Sequence, residues 1–147
     1  MPSTHITSTF HIVFSTKDRR PLIRADWRPR LHAYLGGIVK GLDAIPLAIG
    51  GVEDHEHLSV SLRSKHRIDY FVRDLKADSS AWIHKEFSKL FEWQKGYGAF
   101  SVCPREREVV KRYILSQEEH HRRERFEDEY VRLLEENELE YDANYLW

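Results

Sequence analysis

The feature that most constrains the fold is the order in which the hydrophobic pattern changes its period. Short runs rich in β-branched and aromatic residues predict strands, and longer stretches with apolar residues three and four positions apart predict helices. These segments follow one another as β-α-β-β-α-β, with more helix at the C-terminus. The order is typical of the ferredoxin-like, split βαβ arrangement. We therefore expect an α+β fold, with helices on one face of an antiparallel, RRM-like sheet and the other face free for a ligand.

Turn-forming and capping residues set the expected boundaries of these elements. Asp26 is the expected cap of the first helix, and Pro104 suits the first turn of the third. The predicted strands are 6–16, 44–52, 55–63 and 96–102, and the predicted helices are 26–42, 68–91 and 104–121. A last amphipathic helix is predicted to carry Phe126, Tyr130, Leu133 and Leu134 on one side.

The length and composition favour one soluble domain over residues 1–147, with an acidic, aromatic extension from about residue 122. No apolar run approaches the ~20 residues that a membrane helix needs. The N-terminus lacks the regions of a signal peptide, so we expect a cytoplasmic protein. A bacterial or archaeal source and association with the nucleoid are separate expectations. The single cysteine, Cys103, excludes an internal disulfide and a cysteine-based zinc cluster.

The net charge of −1 hides a strong asymmetry along the chain. Residues 1–117 hold 19 Lys and Arg against 13 Asp and Glu, whereas residues 118–147 hold 4 against 11. A basic body is the electrostatic footprint of a protein that binds phosphate backbones, although solvated surface charge explains the count equally well.

Two histidines lie one residue apart in the third predicted strand. Side chains of a strand alternate between its faces, so His55 and His57 point the same way. Two imidazoles in that position suit one metal ion, or they decorate a solvent face. In the third predicted helix, Tyr113 and Gln117 are four residues apart and project from one face.

The ordered combination of these residues resembles the HUH single-tyrosine transposases of the insertion-sequence 200/605 type, including the relatives associated with repetitive extragenic palindromes. The resemblance extends over essentially the whole chain. It rests on the segments FHIVFSTK (10–17), DHEHL (54–58), WQKGYGAFSV (93–102) and YILSQEEHH (113–121).

The resemblance implies a fold, an activity and a set of site residues. His55, His57 and Gln117 would be ligands of a divalent metal, Mg²⁺ or Mn²⁺, and Tyr113 would be the nucleophile on the C-terminal catalytic helix. Members of the family bind hairpin single-stranded DNA at element ends and cleave and rejoin strands through a 5′-phosphotyrosine. They usually act as dimers, so a homodimer is expected.

Three features leave alternatives open. The residue between the two histidines is usually hydrophobic in the family, whereas here it is Glu56, which would lie at the strand edge, pair with a base or orient the site. His120 and His121 are extra ligands, a proton acceptor or a solvated helix end. Tyr113 is also compatible with a core aromatic residue.

Basic residues flank several predicted strand ends and are candidates for gripping phosphates. They are Lys17, Arg19, Arg20, Arg63, Lys65 and Arg67. Aromatic residues that could stack on bases, or pack in the core, are Trp82, Trp93, Tyr97 and Phe100.

Two other functions compete with the transposase. The first is an RRM-like module that holds single-stranded nucleic acid without cutting it. The second is a related nickase for replication initiation or plasmid transfer, whose members are usually longer. A covalent protein–DNA adduct distinguishes an enzyme from a binding module.

Overall fold

The computed structural model describes residues 3–146, and four of its strands form one antiparallel sheet. The strands are β1 (Thr9–Ser15), β2 (Ile45–Gly51), β3 (His55–Ser61) and β4 (Gly98–Val102). Their spatial order is β2-β3-β1-β4, so β3 and β1 are central. The predicted α+β class and the ferredoxin-like order of elements are confirmed.

Five α-helices accompany the sheet in this part of the chain. They are α1 (Arg28–Gly41), α2 (Ile68–Glu86), α3 (Arg107–Leu115), α4 (Gln117–His120) and α5 (Phe126–Glu136). The expected cap at Asp26 is wrong: Trp27 is the N-cap and has no side-chain cap bond. The Asp26 carboxylate instead accepts a hydrogen bond from Arg24 at 3.2 Å.

The third predicted helix is broken at Ser116, whose backbone leaves the helical region. The Ser116 hydroxyl donates to the carbonyl oxygens of Arg112 and Tyr113, at 2.8 and 3.3 Å. Such side-chain bonds compete with the helical pattern and bend the chain. The break lies between Tyr113 and Gln117, so it sets how these two side chains face the sheet.

One face of the sheet packs on α1 and α2 and forms the main core. Ile12, Phe14, Leu58 and Val60 point to this side and are buried. The opposite face was expected to be free, and that expectation is wrong. Residues of α5 cover it in a second apolar cluster with Val13 and Phe100. The cluster members from α5 are Phe126, Tyr130, Leu133 and Leu134.

Two glycines of one row across the sheet let helices approach this second face closely. Val13, His57 and Gly50 are paired across the sheet, and Gly98 pairs with Val13. A Cβ on Gly50 would collide with the backbone carbonyl of Ile114 in α3, and one on Gly98 would lie 3.0 Å from the Tyr130 ring. These two glycines therefore allow α3 and α5 to lie against the sheet beside His57.

None of the helices formed by residues 3–146 combines the length and the apolar character needed to cross a lipid bilayer.

Candidate functional site: a histidine and carboxylate cluster beside a tyrosine

Strand β3 presents His55 and His57 on the face that α3 and α5 cover, as the alternation of a strand requires. Both side chains are fully buried. The carboxylate of Glu129, from α5, lies between them and has no exposed surface. Its Oε1 atom lies 3.0 Å from Nε2 of His57 and 3.4 Å from Nε2 of His55.

Two further side chains close this cluster from α4 and the residue after it. The Gln117 amide oxygen lies 3.3 Å from Nε2 of His55 and 2.9 Å from Nε2 of His121. His121 also contacts Oε1 of Glu129 at 3.1 Å. Ligands that surround an ion at 2.0–2.2 Å lie about 3.0–3.6 Å apart. The donor set and its spacing therefore fit one divalent cation, with His55, His57, His121 and Glu129 able to supply one ligand atom each.

The outer nitrogens of the two strand histidines are held by neighbouring side chains. The Nδ1–H of His55 donates to the Asp54 carboxylate at 2.7 Å, so its Nε2 faces the cluster. Nδ1 of His57 pairs with Nε2 of His11 at 2.7 Å. Such outer partners fix the ring orientation and the tautomer of a metal-binding histidine.

The surroundings of the two strand histidines shift their pKa values in opposite directions. For His55, burial disfavours the charged ring, but hydrogen bonds to Asp54 and Glu129 outweigh burial and raise the pKa to about 9. For His57, burial and the charge of His55 lower the pKa to about 4 despite Glu129. Burial, with the charge of His57, lowers the pKa of His11 to about 3. The pKa of Glu129 is held low by its hydrogen bonds to His121, His55 and His57, against burial.

Tyr113 reaches the same cluster from α3 of the same chain. Its hydroxyl donates a short hydrogen bond to Oε2 of Glu129, and Arg132 of α5 donates to it at 3.1 Å. Burial and the Glu129 carboxylate raise the pKa of the phenol, whereas Arg132 lowers it. His120 Nε2 lies 3.5 Å from the phenol oxygen and 2.8 Å from the Glu124 carboxylate. The ring of Tyr113 is thus turned toward the histidine pair and is only partly buried.

The structure brings together all four residues that the sequence suggested for the chemistry, but it adds others. Glu129 was missed because the sequence places it in an acidic extension. A signal was available, since Glu129 lies among the residues predicted for the apolar side of the last helix. His11 and Asp54 were also missed, although both were within the segments that carry the family resemblance.

Glu56 points to the opposite side of β3, as strand alternation predicts, and it is fully buried. It pairs with His32 of α1, whose Nε2 lies 3.0 Å from Oε1 and 2.9 Å from Oε2. Of the three possibilities left open, pairing with a base is the one observed. The pairing supplies the partner that a buried carboxylate requires.

The six basic residues suggested for DNA binding lie at two opposite ends of the sheet. Lys17, Arg19 and Arg20 follow β1 at the end where Ser15 pairs with His55. The other three, Arg63, Lys65 and Arg67, follow the far end of β3, about 20 Å along the strand. Each of the six pairs with a carboxylate, for example Arg19 with Glu127 at 3.0 Å. They do not form one continuous patch.

Comparisons with known proteins identify the family. The family described as "Transposase IS200 like" matches residues 4–117. A solved structure of a candidate transposase from Deinococcus radiodurans R1 is similar, with a TM-score of 0.66 and 21% identity, over 78% of this chain and 93% of that chain.

A REP-associated tyrosine transposase, solved bound to a REP hairpin, is also similar. It has a TM-score of 0.57 and 14% identity, over 78% of this chain and 68% of that chain. At these identities the two structures support the fold alone. The comparison with curated protein sequences returned no match. The family match extends over most of the chain and includes His55, His57, Tyr113 and Gln117, and the chain therefore belongs to the IS200-like transposases.

Proposed function

We propose that this protein cleaves and rejoins single-stranded hairpin DNA at the ends of a mobile element, with Tyr113 as the nucleophile and a divalent metal as cofactor. The observation that carries the proposal is the position of the Glu129 carboxylate. One of its oxygens faces the two strand histidines, and the other accepts the hydrogen bond of the Tyr113 hydroxyl. A phosphate attacked by that hydroxyl would also have to lie between the histidine pair and the Tyr113 hydroxyl.

The metal would be held by Nε2 of His55 and His57 and by the side-chain oxygen of Gln117, with His121 and Glu129 completing the set when no DNA is bound. When bound, it supplies positive charge that polarises a phosphate and offsets the charge developing in the transition state. Asp54 and His11 keep the two rings oriented. We propose Mg²⁺ or Mn²⁺, and Mn²⁺ is expected to bind more tightly because it accepts imidazole more readily.

The phenol must lose its proton as its oxygen forms a bond to phosphorus. His120 Nε2 lies 3.5 Å from the phenol oxygen, but the same nitrogen donates to the Glu124 carboxylate at 2.8 Å, so the phenol proton passes to solvent water instead. Arg132 favours the phenolate through its charge. The new O–P bond replaces the P–O3′ bond, and the leaving 3′-oxygen takes up a proton from solvent water. The resulting tyrosine ester keeps the energy needed for a 3′-hydroxyl to reverse the step on another strand.

The test uses hairpin oligonucleotides with single-stranded flanks, incubated with the protein and Mg²⁺ or Mn²⁺. We expect a covalent protein–DNA adduct that disappears in Tyr113→Phe. His57→Ala is expected to abolish cleavage and to leave hairpin binding largely intact. Binding without an adduct, across suitable sequences, would support the RRM-like module instead. Cleavage without an adduct would indicate a nuclease that uses water.

We also propose a DNA-contacting surface, an assembly and a location for the protein. The six basic residues at the two sheet ends are proposed to contact the DNA backbone. A homodimer remains part of the proposal, although Tyr113 and the histidine pair meet within one chain. The protein is proposed to act at bacterial or archaeal DNA in the cytoplasm.

A further inference from the structure

A second cavity lies away from the histidine cluster, between α2 and the segment 92–97. It has a volume of about 520 Å³, in the range of small-ligand sites. Its walls combine aromatic and apolar side chains with charged residues, of which four are cations and two are carboxylates. The apolar and aromatic members include Val72, Ala77, Trp93 and Tyr97, the cations are Lys17, Arg73, Lys76 and Lys95, and the carboxylates are Asp69 and Glu92.

Hydrogen bonds fix the floor of this cavity. The Lys76 amine donates to the carbonyl oxygens of Gln94 at 2.9 Å and Gly96 at 2.5 Å. The Trp93 ring packs edge-on against Phe14, and its N–H donates to Ser79 at 3.0 Å. These bonds hold the chain between Trp93 and Tyr97 in a defined shape, so the cavity is preformed.

Of the two aromatic side chains that line the cavity, Tyr97 is the one that a ligand can contact. Its side chain is partly exposed, and Lys76 lies 5.7 Å from the centre of its ring. Its hydroxyl makes no hydrogen bond to any residue between 3 and 146. On the rim, Lys95 is exposed and forms no ion pair within the same range. An aromatic face beside one unpaired cation suits a stacked base with its phosphate.

The segment also connects this cavity to the candidate active site. The Gln94 side-chain oxygen accepts a hydrogen bond from the backbone N–H of Ser15 at 2.6 Å. Ser15 is the residue that pairs with His55 across β1 and β3. The cavity therefore adjoins the end of the sheet at which His55 and the basic residues after β1 lie.

We propose that this cavity binds one unpaired nucleobase of the single strand that flanks the hairpin, stacked on Tyr97 with its phosphate near Lys95. The inference rests on the proposed function, since it takes single-stranded DNA as the substrate. It assigns a role to the segment WQKGYG, which the catalytic cluster does not use.

The experiment measures binding of a labelled hairpin oligonucleotide by fluorescence anisotropy, with one abasic nucleotide moved along each flank. One position is expected to weaken binding to the unmodified protein about tenfold, the size of one lost base–aromatic stack. Tyr97→Ala is expected to weaken binding of the intact oligonucleotide by a similar factor and to be insensitive to the abasic change at that position. Tyr97→Phe keeps the ring and should bind nearly as the unmodified protein does.

Tyr145→Ala is the matched control, because this tyrosine is 84% exposed and lies in the C-terminal segment. If no abasic position weakens binding to the unmodified protein, the inference is wrong, whether or not Tyr97→Ala folds. The inference is also wrong if the loss of affinity caused by Tyr97→Ala adds in full to the loss caused by an abasic nucleotide, at every position of the flanks. Hairpin binding and adduct formation that persist in either case would leave the proposed function standing, whereas their absence in the unmodified protein would reject that function.

Discussion

At the scale of single residues, the Glu129 carboxylate fills the space between the histidine pair and Tyr113. A carboxylate without exposed surface is costly unless it is paired. Here it has His55, His57 and His121 on one oxygen and Tyr113 on the other. The same contacts hold the pKa of Glu129 low and raise that of the phenol. The carboxylate therefore occupies the position that the proposal assigns to a phosphate.

Replacing Glu129 by Gln tests this interpretation. Without DNA, Mn²⁺ affinity is expected to fall at least tenfold, because the site loses an anionic oxygen (about 1.4 kcal/mol or more). At saturating Mn²⁺, adduct formation with hairpin DNA is expected to persist, because the phosphate takes the place of the carboxylate. Isothermal titration and a gel assay of the adduct measure the two effects. Loss of the adduct at saturating Mn²⁺ would instead make Glu129 a required catalytic group.

The pKa of His55 predicts a pH dependence of metal binding. Its pKa of about 9 lies above the unfolded value of about 6.5, so the ring is charged in the metal-free protein near neutral pH. The contacts of the charged ring stabilise the fold fully below pH 6.5, and this stabilisation is lost as the pH rises toward 9. A ligand must be neutral, so metal binding releases this proton.

Mn²⁺ affinity is therefore expected to rise about tenfold per pH unit between pH 6.5 and 8, as measured by titration at several pH values. His57 has a pKa of about 4 and contributes no proton in this range. The Asp54→Asn variant is a useful comparison, because removal of that charge lowers the pKa of His55 and should flatten the slope. An affinity that does not change with pH would show that His55 is already neutral.

At the scale of elements, the contact between α3 and β2 positions the proposed nucleophile. Gly50 has no side chain, and the backbone of Ile114 occupies the space where a Cβ would lie. Ile114 is adjacent to Tyr113, and the break at Ser116 turns Gln117 toward His55. A strand glycine at a close backbone approach is a common structural device. Here it sets the distance between the phenol and the histidine pair.

The Gly50→Ala variant is expected to lose cleavage by at least a hundredfold, because a displacement of about 1 Å at a reacting group costs about that much. The sheet itself should remain, since α1 and α2 pack on its other face. Circular dichroism checks the fold, and the adduct assay measures the chemistry. Gly37→Ala in α1 is the matched control, because a Cβ there meets no atom within 4 Å. Unchanged cleavage by Gly50→Ala would contradict the positioning role.

At the scale of the whole molecule, every group proposed for the chemistry comes from one chain. β3 supplies the histidine pair, α3 the tyrosine, α4 the glutamine and α5 the carboxylate. The acidic C-terminal region also pairs with the basic body, for example Glu118 with Arg28 at 3.4 Å and Glu127 with Arg19 at 3.0 Å. The charge asymmetry of the sequence is thus partly neutralised within the fold.

Mixing two inactive variants tests whether one chain is sufficient. Tyr113→Phe lacks the proposed nucleophile, and His57→Ala lacks a proposed metal ligand. If each site is built within one chain, the mixture is expected to form no more adduct than the separate variants. Recovery of a quarter or more of the activity would require a dimer in which the tyrosine of one chain reaches the histidines of the other. The measurement is the adduct yield at equal total protein.

The sequence alone determined the order of the strands and helices, the shared face of His55 and His57, and the pairing of Tyr113 with Gln117. These features follow from local periodicity, which a chain carries in its own residues. The role of Glu129, the partner of Glu56 and the covering of the second face by α5 depended on the tertiary structure. They depend on residues that are distant in the chain, such as His57 and Glu129, and only the packed fold decides which distant charges share one buried volume.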